Sequence, residues 1–205
     1  KNGILFKTAV SLEQAGRSEI VVLDKTGTIT AGAPTVTDII PTSDYSEESL
    51  VKLAYSLECK SEHPLAKAIV NEAENMGITP DETTEFKVLP GNGIEAFKNG
   101  SRISTGNYKF ISEKTTVPQE LAAVSENLSD AGKTPLFFCE NKKIAGIIAV
   151  ADVIKDDSTQ AIRELKNMGI RVVMLTGDNE KTANSIGKQA GVDEVIAGVM
   201  PDGKE

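Results

Sequence analysis

Short apolar runs that end abruptly in polar residues are the feature that most limits how this chain can fold. The runs are Glu19–Leu23, Ile144–Val150 and Arg171–Leu175. The first run stops at Asp24 and the last at Thr176. Nearly continuous runs of β-branched residues are typical of parallel strands that are covered on both faces. Because open α/β sheets carry their chemistry at the carboxyl ends of their strands, the pattern predicts a doubly wound parallel sheet of the α/β class.

Helices are predicted between and after these strands from capping residues and apolar stripes. Ser46 is a favoured N-cap residue, and Glu47 and Glu48 complement the dipole of the turn that follows it. Proline is favoured in the first turn of a helix and glycine just after the last turn. The remaining predicted helices run from Pro64 to Gly77, from Pro118 to Gly132, from Ser158 to Gly169 and from Glu180 to Ala190.

A long segment separates the first strand from the later ones. Roughly 115 residues lie between Pro34 and Ala149, far more than a connecting loop contains. Tight turns between short strands are predicted at Gly91-Asn92-Gly93, Asn99-Gly100 and Gly106-Asn107. We therefore expect an α+β domain at 34–149, inserted between two parts of a first domain at 1–33 and 150–205. Two adjacent linkers permit hinge motion between such domains.

The acidic balance of the chain argues against nucleic acid as a partner. Its 22 basic and 30 acidic side chains give a net charge of −8, with six Phe, three Tyr and no Trp, so basic patches and stacking surfaces are scarce. The longest apolar stretch, Ile144–Ala151, is far shorter than the ~20 residues of a membrane span. No signal peptide is recognisable, and the missing initiator Met indicates a piece of a longer chain.

The two cysteines are interpreted as small hydrophobic side chains. Cys59 and Cys139 lie 80 residues apart, and neither belongs to a Cys-x-x-Cys motif. We expect both to be reduced and partly buried, in a reducing compartment, and to form neither a disulfide nor a metal site.

The segment Asp24–Thr30 carries the strongest chemical signal in the sequence. A carboxylate at the end of a buried strand is held rigidly, and Gly27 allows the chain to turn directly after it. Threonine hydroxyls and backbone N–H groups of the turn can hold an anion beside the carboxylate. An aspartate in this setting can attack phosphorus and form an aspartyl-phosphate. The alternative interpretation is an aspartate that only ends a strand and caps a turn.

The heptapeptide DKTGTIT of Asp24–Thr30 resembles the phosphorylation signature of P-type ATPases, whose catalytic domain is similar to the haloacid-dehalogenase fold. Ser61–Leu65 (SEHPL) is similar to an element of the heavy-metal-transporting branch of that family. Further motifs of the family are matched in consistent order by Gly91-Asn92-Gly93, Gly106-Asn107, Asp152–Lys155, Thr176–Asn179 and Pro201–Lys204. The resemblance extends over 1–205 and is greatest to the copper-exporting branch.

The resemblance implies that ATP transfers its γ-phosphate to Asp24. It assigns the catalytic residues Asp24, Lys25, Thr26, Thr176, Gly177, Asp178 and Lys204. Lys204 would balance the phosphoryl charge, while Lys25 either adds positive field or is a solvated side chain. Mg²⁺ would be held by the Asp24 carboxylate and the Thr26 carbonyl, with Asp178 near, because this ion prefers hard oxygen ligands.

Thr26 distinguishes the chain from the soluble phosphatases of the same fold. Those hydrolases carry a second aspartate two positions after the nucleophile, where it acts as general acid and base. The Thr26 hydroxyl cannot take a proton from an attacking water near neutral pH. We therefore expect the aspartyl-phosphate to persist, as a pump requires. A soluble dehalogenase-fold phosphatase is the alternative that Thr26 disfavours.

The resemblance also implies a nucleotide site in the inserted domain. It is assigned to Glu58, His63, Gly91, Gly93, Ile94, Gly106 and Asn107. Glu58 would contact the adenine ring, and His63 would orient ATP beside the start of a helix, whose dipole favours anions. The glycines would let the backbone approach the nucleotide, with Ile94 as an apolar surface for the base. The alternatives are a turn role for His63 and a plain turn at Gly106-Asn107.

These features predict the cytoplasmic ATP-binding and phosphorylation region of an integral membrane ATPase that exports a heavy metal, with the plasma membrane as its location. Its partners would be ATP, Mg²⁺ and the transmembrane and actuator domains of the same protein. Copper(I) is the favoured ion, and zinc, cadmium or lead export is an alternative, as is a non-catalytic nucleotide-binding module. Because the family's GDGxND magnesium motif would follow Lys204 beyond Glu205, we expect this chain to bind nucleotide but to autophosphorylate poorly.

Overall fold

The computed structural model describes residues 7–178 and 180–199. The chain divides into two compact units, one formed by Lys1–Thr30 with Ile154–Glu205 and the other by Ala31–Val153. In chain order the elements are α1 (Ala9–Gly16), β1 (Ile20–Asp24), β2 (Thr30–Pro41), α2 (Glu47–Glu58), α3 (Pro64–Asn75), β3 (Thr84–Leu89), β4 (Gly93–Lys98), β5 (Ser101–Gly106), α4 (Tyr108–Ser112), α5 (Gln119–Asp130), β6 (Thr134–Glu140), β7 (Lys143–Ile154), α6 (Ser158–Asn167), β8 (Arg171–Leu175), α7 (Glu180–Ala190) and β9 (Glu194–Ile196).

The first unit contains a parallel sheet with the strand order β1-β8-β9. Its apolar core consists of Ile29 together with residues of β8, α6 and α7: Ile162, Val172, Met174, Ala183, Ile186 and Ala190. The predicted parallel pairing of β1 and β8 is confirmed. The prediction that both faces of these strands are covered is correct for β8. It is wrong for β1 in the described part of the chain, where Ile20 and Val22 are more than half exposed. Ile20 and Val22 are two residues apart and therefore lie on the same face of β1, and it is this face that is exposed.

The second unit contains a six-stranded sheet with the order β2-β7-β6-β5-β4-β3. Helices α2 and α3 pack on one face over Ile148 and Val150, and α4 and α5 pack on the other over Ile147 and Ala149. The prediction that Ile144–Val150 is a parallel strand is wrong, because β7 pairs antiparallel with β6. Helices on both faces bury every residue of this run, so it is continuously apolar whatever the strand direction.

The connections of this sheet follow the predicted turn chemistry at two of three places. Asn99 and Gly100 both have positive φ (49° and 81°) and join β4 to β5 as a two-residue hairpin. The Gly91-Asn92-Gly93 segment joins β3 to β4. A strand-to-strand turn at Gly106-Asn107 is wrong, because Asn107 leads into α4 and its side chain accepts a hydrogen bond from the Phe110 N–H at 2.9 Å. Asparagine suits turns and helix N-caps equally, which explains the error.

The predicted helices are present as α2, α3, α5, α6 and α7. Ser46 forms a reciprocal capping box with Ser49 at the start of α2, and α7 has the predicted bounds. Helices α1 and α4 and the long strand β2 were not predicted. No helix in the described ranges is long and apolar enough to cross a membrane.

Both cysteine thiols are free. Cys139 is buried among apolar side chains, and this burial raises its pKa to about 12. Cys59 is exposed at the end of α2, so the expectation that both are partly buried is wrong. Cys59 is the C-cap of α2 and lies at an exposed end of that helix, although the residue type favours burial.

Candidate active site

Asp24 lies at the carboxyl end of β1, beside the carboxyl end of β8. The two strands pair in parallel with Asp24 opposite Leu175, and Thr176 follows directly. The loops after both strands therefore meet at one edge of the sheet, as expected for a doubly wound fold. Asp24 itself is half-buried at this edge.

The turn after Asp24 is fixed by two hydrogen bonds to its carbonyl groups. Gly27 has a φ of +77°, with open space where a Cβ would lie. The Lys155 Nζ donates to the Gly27 carbonyl at 2.7 Å, and the Thr30 Oγ1 donates to the Lys25 carbonyl at 2.9 Å. Lys155 was not among the predicted site residues. Its contact with Gly27 joins positions 128 residues apart, which no local pattern reveals.

Lys25 is buried and paired with a carboxylate of the neighbouring loop. Its Nζ lies 2.9 Å from the Asp178 Oδ2, and the lysine is only 8% exposed. The alternative that Lys25 is a solvated side chain is therefore wrong. The pair places a fixed positive charge one residue after Asp24 and engages one oxygen of Asp178.

Thr176 and Gly177 begin the loop after β8, and Thr176 accepts two hydrogen bonds there. The buried Thr176 Oγ1 accepts a hydrogen bond from the Asp178 N–H at 3.2 Å, and the Thr176 carbonyl accepts from the Val199 N–H at 3.1 Å. A Cβ on Gly177 would lie 3.2 Å from the Val199 carbonyl oxygen. Since the Thr176 hydroxyl accepts, its own proton remains to donate to an anion. The predicted residues Asn179 and Lys204 lie outside the described residues.

The donor atoms at this edge of the sheet suit magnesium. No group of three or more His, Cys, Asp or Glu residues that could hold a metal ion occurs in the described ranges. Mg²⁺ does not need such a group, because one or two carboxylates suffice when water and substrate phosphates complete its shell. The Asp24 carboxylate and the carbonyl of the exposed Thr26 supply hard oxygens of this kind.

A second candidate site is a cavity of about 410 Å³ in the unit formed by Ala31–Val153. Its walls come from the end of α2, the start of α3, the turn between β3 and β4, and the junction of β5 with α4. All seven residues assigned to the nucleotide line it: Glu58, His63, Gly91, Gly93, Ile94, Gly106 and Asn107. Segments distant in sequence thus meet at one cavity.

Glu58 supplies a buried carboxyl group to this cavity. It is the last residue of α2 and is only 5% exposed. Burial raises the pKa of Glu58 to about 7, and a hydrogen bond from the Ser61 side chain acts in the opposite direction. The group can therefore exchange a proton near neutral pH.

His63 is the N-cap of α3. Its Nδ1 accepts a hydrogen bond from the Leu65 N–H at 3.2 Å, and Pro64 occupies the first turn. The alternative of a local turn role is thus correct as far as Nδ1 is concerned. Because Nδ1 acts as acceptor, the proton of the neutral ring lies on Nε2, and the exposed imidazole retains that donor for a ligand.

The structure requires glycine at positions 91, 93 and 106 of the cavity for different reasons. Gly91 has a φ of +74° and open space where its Cβ would lie, which fits close approach of a ligand. A Cβ on Gly93 would lie 1.9 Å from the Thr105 carbonyl oxygen, and one on Gly106 would lie 2.5 Å from the Asn92 carbonyl oxygen. Neighbouring backbone occupies both positions, so strand packing by itself requires glycine there, and close approach of a nucleotide at Gly93 stays a prediction.

Sequence reasoning missed part of the cavity wall. The unassigned lining residues include Ser61, Leu65, Ala66, Val88, Leu89, Thr105, Thr134 and Leu136. Thr105 is a buried polar member of this group, at 2% exposure. A threonine on a strand gives no signal of its own, because threonine is common in strands of any role.

Comparison with known proteins identifies similar chains. The family model of the haloacid dehalogenase-like hydrolases matches residues 19–205. The copper-transporting ATPase 1 of Rhizobium meliloti (strain 1021) is 40% identical over 202 residues, which are 98% of this chain and 24% of that protein. The copper-exporting P-type ATPase of Staphylococcus saprophyticus is 44% identical over 204 residues, covering 100% of this chain and 25% of that protein. The chain thus spans about a quarter of these relatives.

Solved structures that are similar to this chain agree with the observed fold. A crystal structure of a zinc-transporting PIB-type ATPase in the E2.Pi state matches with a TM-score of 0.87 and 38% identity, over 98% of this chain and 32% of that one. The catalytic domain of a CPx-ATPase, studied for its conformational changes upon nucleotide binding, matches with a TM-score of 0.66 over 98% of this chain and 70% of that one. At 24% identity the second match supports the fold alone.

Proposed function

This chain belongs to the haloacid dehalogenase-like hydrolases, and we propose that it is the ATP-binding and phosphorylation region of a P-type ATPase that transports a heavy-metal ion. The segment 34–149 would bind the nucleotide, and 1–33 with 150–205 would receive the phosphoryl group. The observation that carries the proposal is the meeting of all seven nucleotide-site candidates at one cavity. Hinge motion at the two linkers would bring the γ-phosphate to Asp24.

The proposed reaction is an attack of the Asp24 carboxylate on the γ-phosphorus of ATP. The bond from phosphorus to the bridging oxygen breaks, so ADP leaves with that electron pair and an aspartyl-phosphate forms. Negative charge on the transferred group needs fixed positive partners. The buried Lys25 supplies one beside Asp24, Lys204 would supply another, and the Thr176 hydroxyl would donate a hydrogen bond.

Magnesium would be held by the Asp24 carboxylate and the Thr26 carbonyl. When bound, the ion supplies charge neutralisation to the phosphate oxygens. Lys155 and Thr30 fix the backbone that presents these ligands, through their bonds to the carbonyls of Gly27 and Lys25. Gly177 would keep the second loop close to the phosphate.

Thr26 supports a pump in preference to a soluble phosphatase. It stands where the phosphatases of this fold carry their general acid and base, and its hydroxyl cannot perform that role. An aspartyl-phosphate formed here would persist until another part of the protein delivers a base. That lifetime allows distant domains to respond.

The adenosine end of ATP would lie in the cavity of the second unit. Glu58 would contact the adenine ring, Ile94 would face the base, and the region of Gly91 would approach the ligand most closely. His63 would donate from Nε2 toward the phosphates beside the start of α3, where the helix dipole favours anions. Asn107 connects two segments of the cavity rim, because its Nδ2 donates a hydrogen bond to the Gly91 carbonyl at 3.3 Å.

Copper(I) is the proposed cargo, because the relatives of 40% and 44% identity are named as copper ATPases. Zinc is the second candidate, since a structure of 38% identity belongs to a zinc transporter. The chain would be a cytoplasmic domain of an integral plasma-membrane protein and would work with the transmembrane and actuator domains of that protein. The ion itself would bind elsewhere.

Two experiments test the proposal. Isothermal titration of this chain with ATP should show binding, and p-nitrophenyl phosphate should not be turned over, whereas a phosphatase would hydrolyse it. In the full-length protein, γ-labelled ATP should leave an acid-stable label that Asp24→Asn abolishes. The exposed Asp44 provides the matched control, because Asp44→Asn should leave the label unchanged. Label that survives Asp24→Asn, with metal flux intact, refutes the proposal.

A further inference from the structure

Two buried hydroxyl groups have no hydrogen-bond partner in the described part of the chain: the Oγ1 atoms of Thr83 and Thr105. They are 7% and 2% exposed. Buried polar atoms are nearly always hydrogen-bonded, so each exception calls for an explanation. Thr83 precedes β3 and does not line the 410 Å³ cavity, whereas Thr105 does.

The alternation of side chains along β5 directs Thr105 toward this cavity. The preceding residue, Ser104, lines a different cavity together with Cys139, on the opposite face of the sheet. Successive side chains of a strand point to opposite faces, so the Thr105 side chain lies on the face covered by α2 and α3. Ile103, two residues earlier, packs in the core beneath these helices and confirms the direction.

Burial within the cavity runs from an exposed rim to an apolar interior. His63, Gly91 and Asn107 are exposed at the rim. The interior combines apolar side chains, Ile94 among them, with the two buried polar groups of Glu58 and Thr105. A flat aromatic base with polar edge atoms fits such an interior, while phosphates remain at the solvated rim.

We propose that the Thr105 hydroxyl forms a hydrogen bond with a polar edge atom of a purine base and so contributes to the selection of that base. This inference rests on the proposed function, since it assumes that the cavity binds ATP. The physical reason is that a buried hydroxyl without a partner is unfavourable in the empty protein, and a correctly placed ligand atom satisfies it. Sites built to hydrogen-bond a ligand discriminate strongly against ligands that lack the matching atom.

The test compares near-isosteric variants by isothermal titration with ATP and with CTP, whose smaller pyrimidine base we do not expect to reach Thr105. Thr105→Val removes the hydroxyl and keeps the shape, and it should weaken ATP binding about tenfold. CTP binding should not change, so that discrimination between the two nucleotides falls by the same factor. Thr105→Ser restores the hydroxyl and should bind ATP within about twofold of the parent chain.

Thr83→Val is the matched control, because it removes the other unpartnered hydroxyl, which does not line the cavity. It should leave ATP binding unchanged. Neither valine variant should lower the melting temperature, since each removes a buried polar atom that has no partner. If Thr105→Val does not fold, Thr105→Ala provides the same comparison.

Three results would overturn the inference. Unchanged ATP affinity in Thr105→Val, with the parent chain binding ATP, removes the role of Thr105 and leaves the proposed function standing. Equal losses for ATP and CTP indicate a structural effect in place of base recognition. Absence of ATP binding by the parent chain refutes the proposed function and this inference together.

Discussion

The Lys25 Nζ lies 2.9 Å from the Asp178 Oδ2, so an ion pair joins the loop after β1 to the loop after β8. The lysine side chain is 10% exposed and the aspartate side chain 33% exposed. These exposures show that the protein shields the pair from much of the surrounding water. The pair lies at the carboxyl ends of β1 and β8. It fixes the relative position of the two loops that flank Asp24.

The first prediction concerns the strength of this pair. A double-mutant cycle with Lys25→Met and Asp178→Asn should give a coupling energy of about 1–2 kcal/mol, because partly buried charges are screened less than exposed ones. Urea unfolding of the four proteins measures it. The exposed pair of Arg17 and Glu13 is the control, and its coupling should be below about 0.5 kcal/mol. Equal coupling energies in the two cycles would contradict this prediction, because they would show that water screens the Lys25–Asp178 pair as strongly as it screens the exposed pair.

The second prediction is a pH dependence of stability that originates at Glu58. Burial raises its folded pKa to about 7 from an ordinary value of 4.5. The folded state therefore binds this proton more tightly than the unfolded state. The resulting stabilisation is fully present below pH 4.5 and is lost as pH rises through about 7, a change on the order of 3 kcal/mol.

Urea unfolding at a series of pH values checks this sign. The parent chain should lose stability relative to Glu58→Gln as pH rises from about 4.5 to about 7, because the amide cannot ionise. Glu62→Gln is the matched control, since Glu62 is exposed four residues along the chain. A constant difference between Glu58→Gln and the parent chain at every pH would contradict the assignment of the effect to this carboxyl group.

Local sequence signals were sufficient for the elements that have local physical causes. Ser46 and Pro64 mark helix starts because capping and the fixed proline φ act within one turn. Asn99-Gly100 marks a hairpin because both residues tolerate positive φ. Asp24 marks the end of a strand because the apolar run before it stops at a charge.

Non-local features could not be obtained in this way. The apolar run Ile144–Val150 reports burial on both faces and says nothing about strand direction, which is set by its pairing with β6. The hydrogen bond from Lys155 to the Gly27 carbonyl and the position of Thr105 in the cavity wall both depend on the folded topology. The grouping of Glu58 with Gly91 was anticipated only through family resemblance, since residues so far apart share no local pattern.

The third prediction separates the two glycines of the β3–β4 turn. Gly93→Ala places a Cβ 1.9 Å from the Thr105 carbonyl oxygen, which forces β4 and β5 apart, and it should destabilise the chain by about 2–4 kcal/mol. Gly91→Ala meets no atom but must hold a φ of +74°, so it should destabilise by only about 1 kcal/mol. Urea unfolding measures both values. Similar losses in the two variants would show that the turn has relaxed.

ATP titration of the same two variants extends this comparison to the cavity. Gly93→Ala should weaken ATP binding more than Gly91→Ala does, because the Cβ at position 93 displaces the strand that carries Thr105. Gly100→Ala is a control for glycine strain at a site outside the cavity, with a φ of +81° and open space around it. It should lower stability by about 1 kcal/mol and leave ATP binding unchanged. A loss of ATP binding in this control would attribute the effects to general destabilisation.

The last prediction separates the two roles of His63, which caps α3 through Nδ1 and is proposed to contact ATP through the rest of the ring. Asparagine is a good N-cap and alanine is a poor one, so His63→Ala should lose about 1 kcal/mol of stability while His63→Asn stays close to the parent chain. Both variants lack the imidazole, and both should weaken ATP binding equally. Urea unfolding and ATP titration of the three proteins decide the matter: if His63→Asn keeps full ATP affinity, the histidine acts only as a helix cap.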